Sequence, residues 1–102
     1  MTYIIGEIGQ NHNGSIKIAK SIIDVASSPV IDKLFNIKVK SMDAVKMTKR
    51  DLNYELSDSQ MKMPYNSINS FGKTYGEHRK FLELSDEEHY ECFKYAKGKG
   101  LE

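Results

Sequence analysis

Residues 3–14 have the sequence YIIGEIGQNHNG, and this stretch decides the fold. Its apolar run carries one carboxylate, Glu7, and then breaks into a turn rich in glycine and asparagine. Apolar residues recur at helical spacing immediately afterwards, which predicts an amphipathic helix over about residues 15–27. A strand over residues 2–8, a polar turn and a helix together predict the opening of a βα unit.

The position of Glu7 in the strand predicts where its side chain points. Side chains alternate along a strand, so Glu7 faces away from Ile4 and Ile8. If those two isoleucines pack on a covering helix, Glu7 lies on the other face, near the carboxyl end of the strand. Folds of the α/β class place their chemistry at that end.

A second short apolar segment, residues 42–47, predicts the next strand. It is apolar except at its ends, as expected of a parallel strand that is covered on both faces. If Val45 and Met47 pack on the helices, alternation places Lys46 and Thr48 on the opposite face. Two neighbouring strands would then present a carboxylate and an ammonium at the same end.

The segment between helix and second strand, residues 30–42, has a mixed pattern. The spacing of its apolar residues predicts one short helical turn, followed by a polar loop over residues 36–41; the apolar residues are Val30, Ile31, Leu34 and Phe35. A connection from helix to strand lies on the face of a barrel opposite the active site. We therefore expect a structural role for it, with a subunit contact as the alternative.

The rest of the chain predicts a long loop and two helices. Residues 48–76 form a polar connection with a helical turn near 57–63, and loops of this length are commonly functional. Residues 74–84 have helical spacing. Ser85 and Glu88 form a capping box for a helix to about Lys97, with Tyr90, Phe93 and either Ala96 or Lys97 on its buried side. The last two residues would approach a third strand.

Composition excludes several classes of protein. The chain has 102 residues, at most one small domain, whereas a complete (β/α)8 barrel needs about 250. Basic and acidic residues number 15 and 14, so the basic footprint of a nucleic-acid binder is absent. We expect no membrane segment, no signal peptide and a cytoplasmic location. The one cysteine, Cys92, is expected to be a buried structural thiol.

Three blocks resemble the N-acetylneuraminate (sialic acid) synthase family, and they appear in the family's order over nearly the whole chain. They are IIGEIGQNHNG at residues 4–14, DAVK at residues 43–46, and PYNS to YGEHR at residues 64–79. The resemblance implies the first two βα units of a (β/α)8 TIM-type barrel, with an insertion at about residues 30–42. The long loop at about residues 48–76 would lie on the active-site side.

The resemblance also implies a reaction for the complete protein. The family condenses phosphoenolpyruvate with an N-acylated mannosamine-type sugar, which gives a sialic-type nonulosonic acid in carbohydrate biosynthesis. A legionaminic or pseudaminic acid synthase is the close alternative, and a truncated, non-catalytic interaction remnant is the other. A divalent metal, Mn²⁺ or Mg²⁺, and a homodimer are expected of the complete enzyme. The 102 residues alone are expected to be inactive and to bind no metal.

The site residues that the resemblance implies come from both strands and the loop. Glu7 would be catalytic, at the reacting centre, and Lys46 would hold phosphoenolpyruvate. Thr48 stands where many relatives have glutamine, which affects the choice of acyl sugar. The loop would contact substrate through Asn66, Asn69, Tyr75 and Arg79. We expect His12 to stabilise its turn or line the ligand site rather than bind metal, and His78 and His89 to be solvated.

Overall fold

The computed structural model describes residues 2–102, apart from the side chains of Asn53 and Glu55. This part of the chain contains four strands and five helices, in the order one strand, one helix, three strands and four helices. The strands are β1 (Ile5–Gly9), β2 (Val30–Asp32), β3 (Ile37–Val39) and β4 (Ala44–Met47). The helices are α1 (Ile16–Ser27), α2 (Leu52–Glu55), α3 (Asp58–Met61), α4 (Tyr75–Leu82) and α5 (Asp86–Gly98).

Strands β1 and β4 are parallel neighbours, which confirms the predicted strand pair. Their register pairs Glu7 with Lys46, and it shifts between Glu7 and Gly9 so that Ile8 has no partner on β4. The predicted bounds were too wide, because β1 begins at Ile5 rather than residue 2 and β4 begins at Ala44 rather than residue 42. The chain is therefore an α/β protein built on a parallel strand pair.

The last residues of the chain extend this pair. The N–H of Glu102 donates to the carbonyl of Asp43 at 3.1 Å, and the N–H of Val45 donates to the carbonyl of Glu102 at 2.9 Å. This alternation is the hydrogen-bond pattern of a parallel neighbour. Glu102 therefore pairs with the start of β4.

Helices α1 and α5 cover one face of the strand pair. The core contains Ile8 from β1 together with apolar residues of both helices, namely Ala19, Ile23, Ala26, Cys92 and Ala96. Val45 and Met47 pack against it from β4, as alternation predicted. Ile4 is 46% exposed and does not take the buried position expected of it, because it precedes the first residue of the strand. The side chains of Glu7 and Lys46, on the opposite face, are exposed.

Residues 30–42 do not contain the predicted helical turn. Strands β2 and β3 form an antiparallel hairpin that pairs Val30 with Val39 and Asp32 with Ile37. The β-branched residues favour strand, and Asp32 stabilises the turn by accepting hydrogen bonds from the N–H groups of Leu34 and Phe35. The apparent helical spacing arose because those two turn residues are also apolar; they are 83% and 69% exposed.

Helix α5 begins as the capping box predicted, but it buries different residues. Ser85 accepts from the N–H of Glu88, whose carboxylate accepts from the N–H of Ser85. Cys92 and Ala96 are buried, whereas Tyr90 and Phe93 are 61% and 56% exposed. The prediction for the two aromatics was wrong, since the helix packs on α1 through its small residues.

The long connection contains two short helices, α2 and α3. Helix α3 confirms the turn predicted near residues 57–63, while α2 was not predicted. A capping box of Thr74 and Glu77 begins α4. The described helices include no segment with the length and apolar character of a membrane span.

Candidate functional site

Glu7 and Lys46 form an ion pair at the carboxyl end of the strand pair. Lys46 Nζ lies 3.6 Å from Glu7 Oε2, and the two side chains are 56% and 69% exposed for Glu7 and Lys46. The predicted facing of both residues is confirmed. An exposed pair of this kind contributes only about 0–1 kcal/mol to stability. Folding therefore does not require the pair, and both charges are accessible to a ligand.

Gly9 lies beside the side chains of both Glu7 and Thr48. The N–H of Thr48 donates to the carbonyl of Gly9 at 3.4 Å. A side-chain carbon placed on Gly9 would lie 3.6 Å from Glu7 Oε1 and 4.0 Å from the Thr48 hydroxyl oxygen. The structure thus brings three of the predicted site residues, Glu7, Lys46 and Thr48, to one end of two strands.

The turn between β1 and α1 is held by its own side chains. Asn13 and Gly14 have φ angles of 54° and 75°, which reverse the chain ahead of the α1 cap at Ser15. The amide of Asn11 donates to the Ile8 carbonyl at 2.9 Å. Gln10 reaches the end of α4, where its amide donates to Glu83 at 2.8 Å. The turn is therefore tied both to its own strand and to α4.

An open cavity of about 480 Å³ lies between this turn and the long loop. Side-chain amides line it from both sides, with Gln10, Asn11 and Asn13 on the turn and Asn69 on the loop. The lining also includes Ser70, His78 and the apolar residues Ile68, Phe71 and Leu82. Amides supply both hydrogen-bond donors and acceptors, so the cavity matches a ligand with several hydroxyl groups and a small apolar part.

The loop is fastened to α4 by aromatic rings. Phe71 stacks on Phe81 with ring centroids 4.3 Å apart, and Tyr65 lies 4.5 Å from the ring of His78. The N–H of Tyr65 donates to the carbonyl of Lys73 at 3.0 Å, which closes the loop on itself. His78 is half-buried among these rings and accepts from the N–H of Phe71, so its predicted solvation was wrong.

The four predicted loop residues do not gather at one place. Asn69 lines the cavity. Tyr75 and Arg79 pack on each other, with the guanidinium carbon 5.9 Å from the ring centre. Asn66 is exposed and lies outside the cavity lining. Sequence reasoning also missed Gln10, Asn11 and Asn13 as lining residues, although they belong to the opening motif that carried the resemblance.

A second, larger cleft of about 630 Å³ is lined mainly by charged residues. Lys49 and Asp86 form an ion pair there at 2.9 Å. The hydrogen bond between them raises the pKa of Lys49 and lowers the pKa of Asp86. Glu83 accepts from the backbone N–H of Arg50 at 3.3 Å. Because Lys49 and Asp86 pair with each other and Glu83 is bonded to the backbone, we regard the amide-lined cavity as the better ligand site.

His12 is fully buried in the turn. Its Nδ1 accepts the N–H of Gly14 at 3.0 Å, so the neutral ring carries its proton on Nε2, which has no hydrogen-bond partner in the described part of the chain. This confirms the turn-stabilising role. Burial lowers the pKa of His12 below the usual value, and His89 lowers it further, while Glu83 and Glu88 act in the opposite direction. His89 has a buried Nε2 as well, so its predicted solvation was wrong.

We expect the protein to lose stability as the pH falls below about 6.5, the ordinary pKa of histidine. Unfolded His12 takes up a proton before folded His12 does, so acid favours the unfolded state over this range. His12→Asn retains an acceptor for the Gly14 N–H and cannot titrate. Urea unfolding between pH 7.5 and 5 should show a smaller loss for His12→Asn than for wild type. His78→Asn is the control, and an equal effect of both substitutions would contradict the assignment.

Cys92 is buried, as predicted, and burial raises the pKa of its thiol. The thiolate, which is the nucleophile and metal ligand, is therefore disfavoured. Among residues 2–102, the Asn53 and Glu55 side chains apart, no group of three histidine, cysteine or carboxylate side chains is placed to hold a metal ion. The described residues therefore do not form a metal site.

The relatives found by comparison with known proteins are all named as synthases. Human N-acetylneuraminate-9-phosphate synthase is 36% identical over 99 residues, which are 97% of this chain and 24% of the human protein. The Drosophila melanogaster enzyme of that name is 35% identical over 95 residues, 93% of this chain and 23% of its own length. N,N'-diacetyllegionaminic acid synthase of Legionella pneumophila is 32% identical over 101 residues, 98% of this chain and 25% of its own. No protein-family model matches. The chain spans about a quarter of the length of these relatives.

Proposed function

Because this chain belongs to the N-acetylneuraminate (sialic acid) synthase family, we propose that it is part of a synthase that joins phosphoenolpyruvate to an N-acylated mannosamine-type sugar. One observation carries the proposal. Glu7 and Lys46 lie 3.6 Å apart on one exposed face, at the carboxyl ends of adjacent parallel strands. The complete protein would continue the strand pair into a (β/α)8 barrel and would require the remaining strands for activity.

Lys46 would bind the anionic groups of phosphoenolpyruvate. A lysine ammonium is a compact charge with three donors, which suits a carboxylate or a phosphate. In this chain the Glu7 carboxylate offsets the charge of Lys46, because Lys46 Nζ lies 3.6 Å from Glu7 Oε2. Once further strands cover the face, an ammonium enclosed there needs an anion, since burial of a lone charge is costly.

Glu7 would act where the new bond forms. The enol carbon of phosphoenolpyruvate attacks the aldehyde carbon of the open-chain sugar, and the aldehyde oxygen takes up a proton to become a hydroxyl. Water adds to the carbon of phosphoenolpyruvate that bears the phosphate, and phosphate leaves. A carboxylate beside the reacting centre can orient a sugar hydroxyl or transfer the proton. The contact with Lys46 holds the Glu7 side chain toward the phosphoenolpyruvate site.

The amide-lined cavity is the proposed sugar site. Its lining of Gln10, Asn11, Asn13 and Asn69 offers paired donors and acceptors for hydroxyl groups, and Phe71 and Ile68 offer apolar contact for an acyl methyl group. Gln10 and Asn11 follow directly after the β1 strand end that bears Glu7. A sugar in this cavity would therefore lie at the same end of the sheet as the two charges.

The divalent metal expected of the complete enzyme stays a proposal. Such an ion would polarise the sugar aldehyde. The described residues supply no set of ligands for it, so its ligands would have to come from elsewhere in the complete protein. No step assigned to Glu7 or Lys46 depends on it.

The identity of the acyl sugar is a separate part of the proposal. The human and Drosophila relatives are named for a 9-phosphate product, whereas the Legionella relative is named for a diacetylated legionaminic acid. The higher identity to the first group supports a sugar phosphate as substrate. Thr48, with one hydroxyl beside Glu7, is a proposed contributor to this choice.

Asn69→Ala should weaken use of the sugar in the complete synthase. Removal of one amide from a polar contact costs about 1–3 kcal/mol, so the KM for the sugar should rise roughly 5- to 150-fold. The KM for phosphoenolpyruvate should change less than about twofold. Phosphate release, measured with N-acetylmannosamine and with its 6-phosphate, gives both constants and identifies the preferred sugar.

Two other loop variants rank the residues. Asn66 and Tyr75 lie outside the cavity lining, so Asn66→Ala and Tyr75→Phe should raise the sugar KM less than Asn69→Ala does. If Asn69→Ala behaves like wild type toward both substrates, the cavity is not the sugar site. The assignments of Glu7 and Lys46 would then stand alone.

A further inference from the structure

Glu83, directly after α4, connects the segments that follow the two strands of the candidate site. Its Oε1 accepts from the side-chain amide of Gln10 at 2.8 Å, and its Oε2 accepts from the backbone N–H of Arg50 at 3.3 Å. Gln10 follows β1, and Arg50 lies in the segment that follows β4. One carboxylate therefore joins the turn beyond Glu7 to the segment beyond Lys46.

The neighbours of Glu83 hold this carboxylate in place. Leu82 and Leu84 are only 8% and 2% exposed, so the backbone at Glu83 is anchored on both sides. Glu83 is also the C-cap of α4, where its charge meets the negative end of the helix dipole. A carboxylate in this position does not stabilise the helix, and departures from local preference are expected at functional positions. The two hydrogen bonds, rather than helix stability, account for an acidic residue here.

The bond to Glu83 determines which atom of the Gln10 amide is left for a ligand. A side-chain amide has an accepting oxygen and a donating nitrogen, whereas an ionised carboxylate can only accept. Gln10 Nε2 must therefore face Glu83, and Oε1 is left for a ligand. Because Gln10 lines the amide-lined cavity, it supplies that cavity with a hydrogen-bond acceptor.

Asn11, the next residue of the turn, is oriented in the same sense. Its Nδ2 donates to the backbone carbonyl of Ile8 at 2.9 Å, so its Oδ1 is likewise left for a ligand. The turn therefore offers the cavity two carbonyl oxygens, and the carboxylate of Glu83 lies behind one of them. Such oxygens accept from hydroxyl and amide N–H groups, whereas a phosphate brought to the same place would meet the like charge of Glu83.

We infer that Glu83 is a positioning residue for the sugar, which holds the Gln10 amide so that its Oε1 accepts a hydrogen bond from a sugar hydroxyl. This inference rests on the proposed function, because it takes the amide-lined cavity as the sugar site. It adds a direction to that assignment. A side of the sugar that bears hydroxyl groups lies against the turn, and the phosphate of a sugar phosphate lies away from it.

Steady-state kinetics of the complete synthase test this role through the KM for the sugar. Glu83→Ala leaves the Gln10 amide free to turn over, so the sugar KM should rise about 3- to 10-fold, as expected for the loss of one neutral hydrogen bond. The KM for phosphoenolpyruvate should change little. Glu83→Gln retains an acceptor for Gln10 Nε2, so it should raise the sugar KM less than Glu83→Ala does.

A double-mutant cycle with Gln10→Ala separates positioning from a general structural role. If Glu83 acts through Gln10, Glu83→Ala should change the sugar KM by less than about twofold once residue 10 is alanine. Independent effects would instead multiply. The inference is overturned if Glu83→Ala has its full effect in the Gln10→Ala background, or if it raises the phosphoenolpyruvate KM as much as the sugar KM. A higher sugar KM for Glu83→Gln than for Glu83→Ala also overturns it.

Two sugars, N-acetylmannosamine and its 6-phosphate, test the direction in which the sugar lies. Glu83→Ala should raise the KM for both, whereas a fall for the 6-phosphate alone would place the phosphate against the turn and overturn the inference. If the complete wild-type protein releases no phosphate from phosphoenolpyruvate with either sugar, the proposed function is refuted and this inference fails with it. An active wild type whose sugar KM is unchanged by Glu83→Ala refutes the positioning role alone.

Discussion

Lys46→Ala is expected to raise the KM for phosphoenolpyruvate and lower kcat/KM by roughly 30- to 5,000-fold in the complete synthase. Removal of one partner from an enclosed charge pair costs about 2–5 kcal/mol, which converts to that range. The KM for the sugar should change little. In the 102-residue chain, where the ion pair with Glu7 is exposed, the same substitution should lower the free energy of unfolding by less than about 1 kcal/mol.

Glu7→Gln should lower kcat by about 10²- to 10⁴-fold, the usual contribution of a positioned acid or base. It retains the size of the side chain and removes its charge, so phosphoenolpyruvate should bind no more weakly than in wild type. Lys49→Ala is the control for both variants, because Lys49 lies three residues beyond Lys46 and pairs with Asp86 instead. If Lys46→Ala and Lys49→Ala have equal effects on kcat/KM, the strand-end site is refuted.

Gly14→Ala is expected to reduce the free energy of unfolding by about 2–5 kcal/mol. Gly14 has a φ of +75°, and a methyl group there would lie 2.1 Å from the carbonyl oxygen of Phe81 in α4. The left-handed conformation costs a residue other than glycine about 1–2 kcal/mol, and overpacking adds about 1–3 kcal/mol. The clash involves backbone, so no side chain can relieve it by rotating.

Gly100→Ala separates the two costs. Gly100 has a φ of +84°, but a methyl group there would meet no described atom within 4 Å. It should therefore cost only the conformational part, about 1–2 kcal/mol. Urea unfolding of both variants gives the difference. Equal losses would mean that α4 does not pack closely on the β1–α1 turn, and the cavity between them would lose its basis.

Local pattern was sufficient for the strand pair and for two helices. Residues 4–8 form a short, mostly apolar run that ends in a turn, and α1 has apolar residues at helical spacing, so each indicates its own structure. Ser85 and Glu88 lie within one turn of helix, and the capping box between them was confirmed. The facing of Glu7 and Lys46 needed only alternation and the parallel direction of adjacent strands.

The sequence predictions were wrong for elements in which local spacing does not determine what the apolar residues contact. Residues 30–39 suit a helical turn or a hairpin almost equally by spacing, and the antiparallel pairing of Val30 with Val39 decided between them. Tyr90 and Phe93 appeared to be the buried face of α5. Close approach of α5 to α1 instead favours the small residues Cys92 and Ala96, which leaves the aromatics outside.

The sequence by itself determined the βα opening, the end of the sheet at which Glu7 and Lys46 lie, and the family resemblance. Only the tertiary structure decided that Gln10, Asn11 and Asn69 line one cavity, and that His12 is buried. The physical reason is the sequence separation over which each interaction acts. Alternation, helical spacing and capping act between residues a few positions apart, whereas the cavity joins a turn near residue 12 to a loop near residue 69 through the packing of α4 on Gly14.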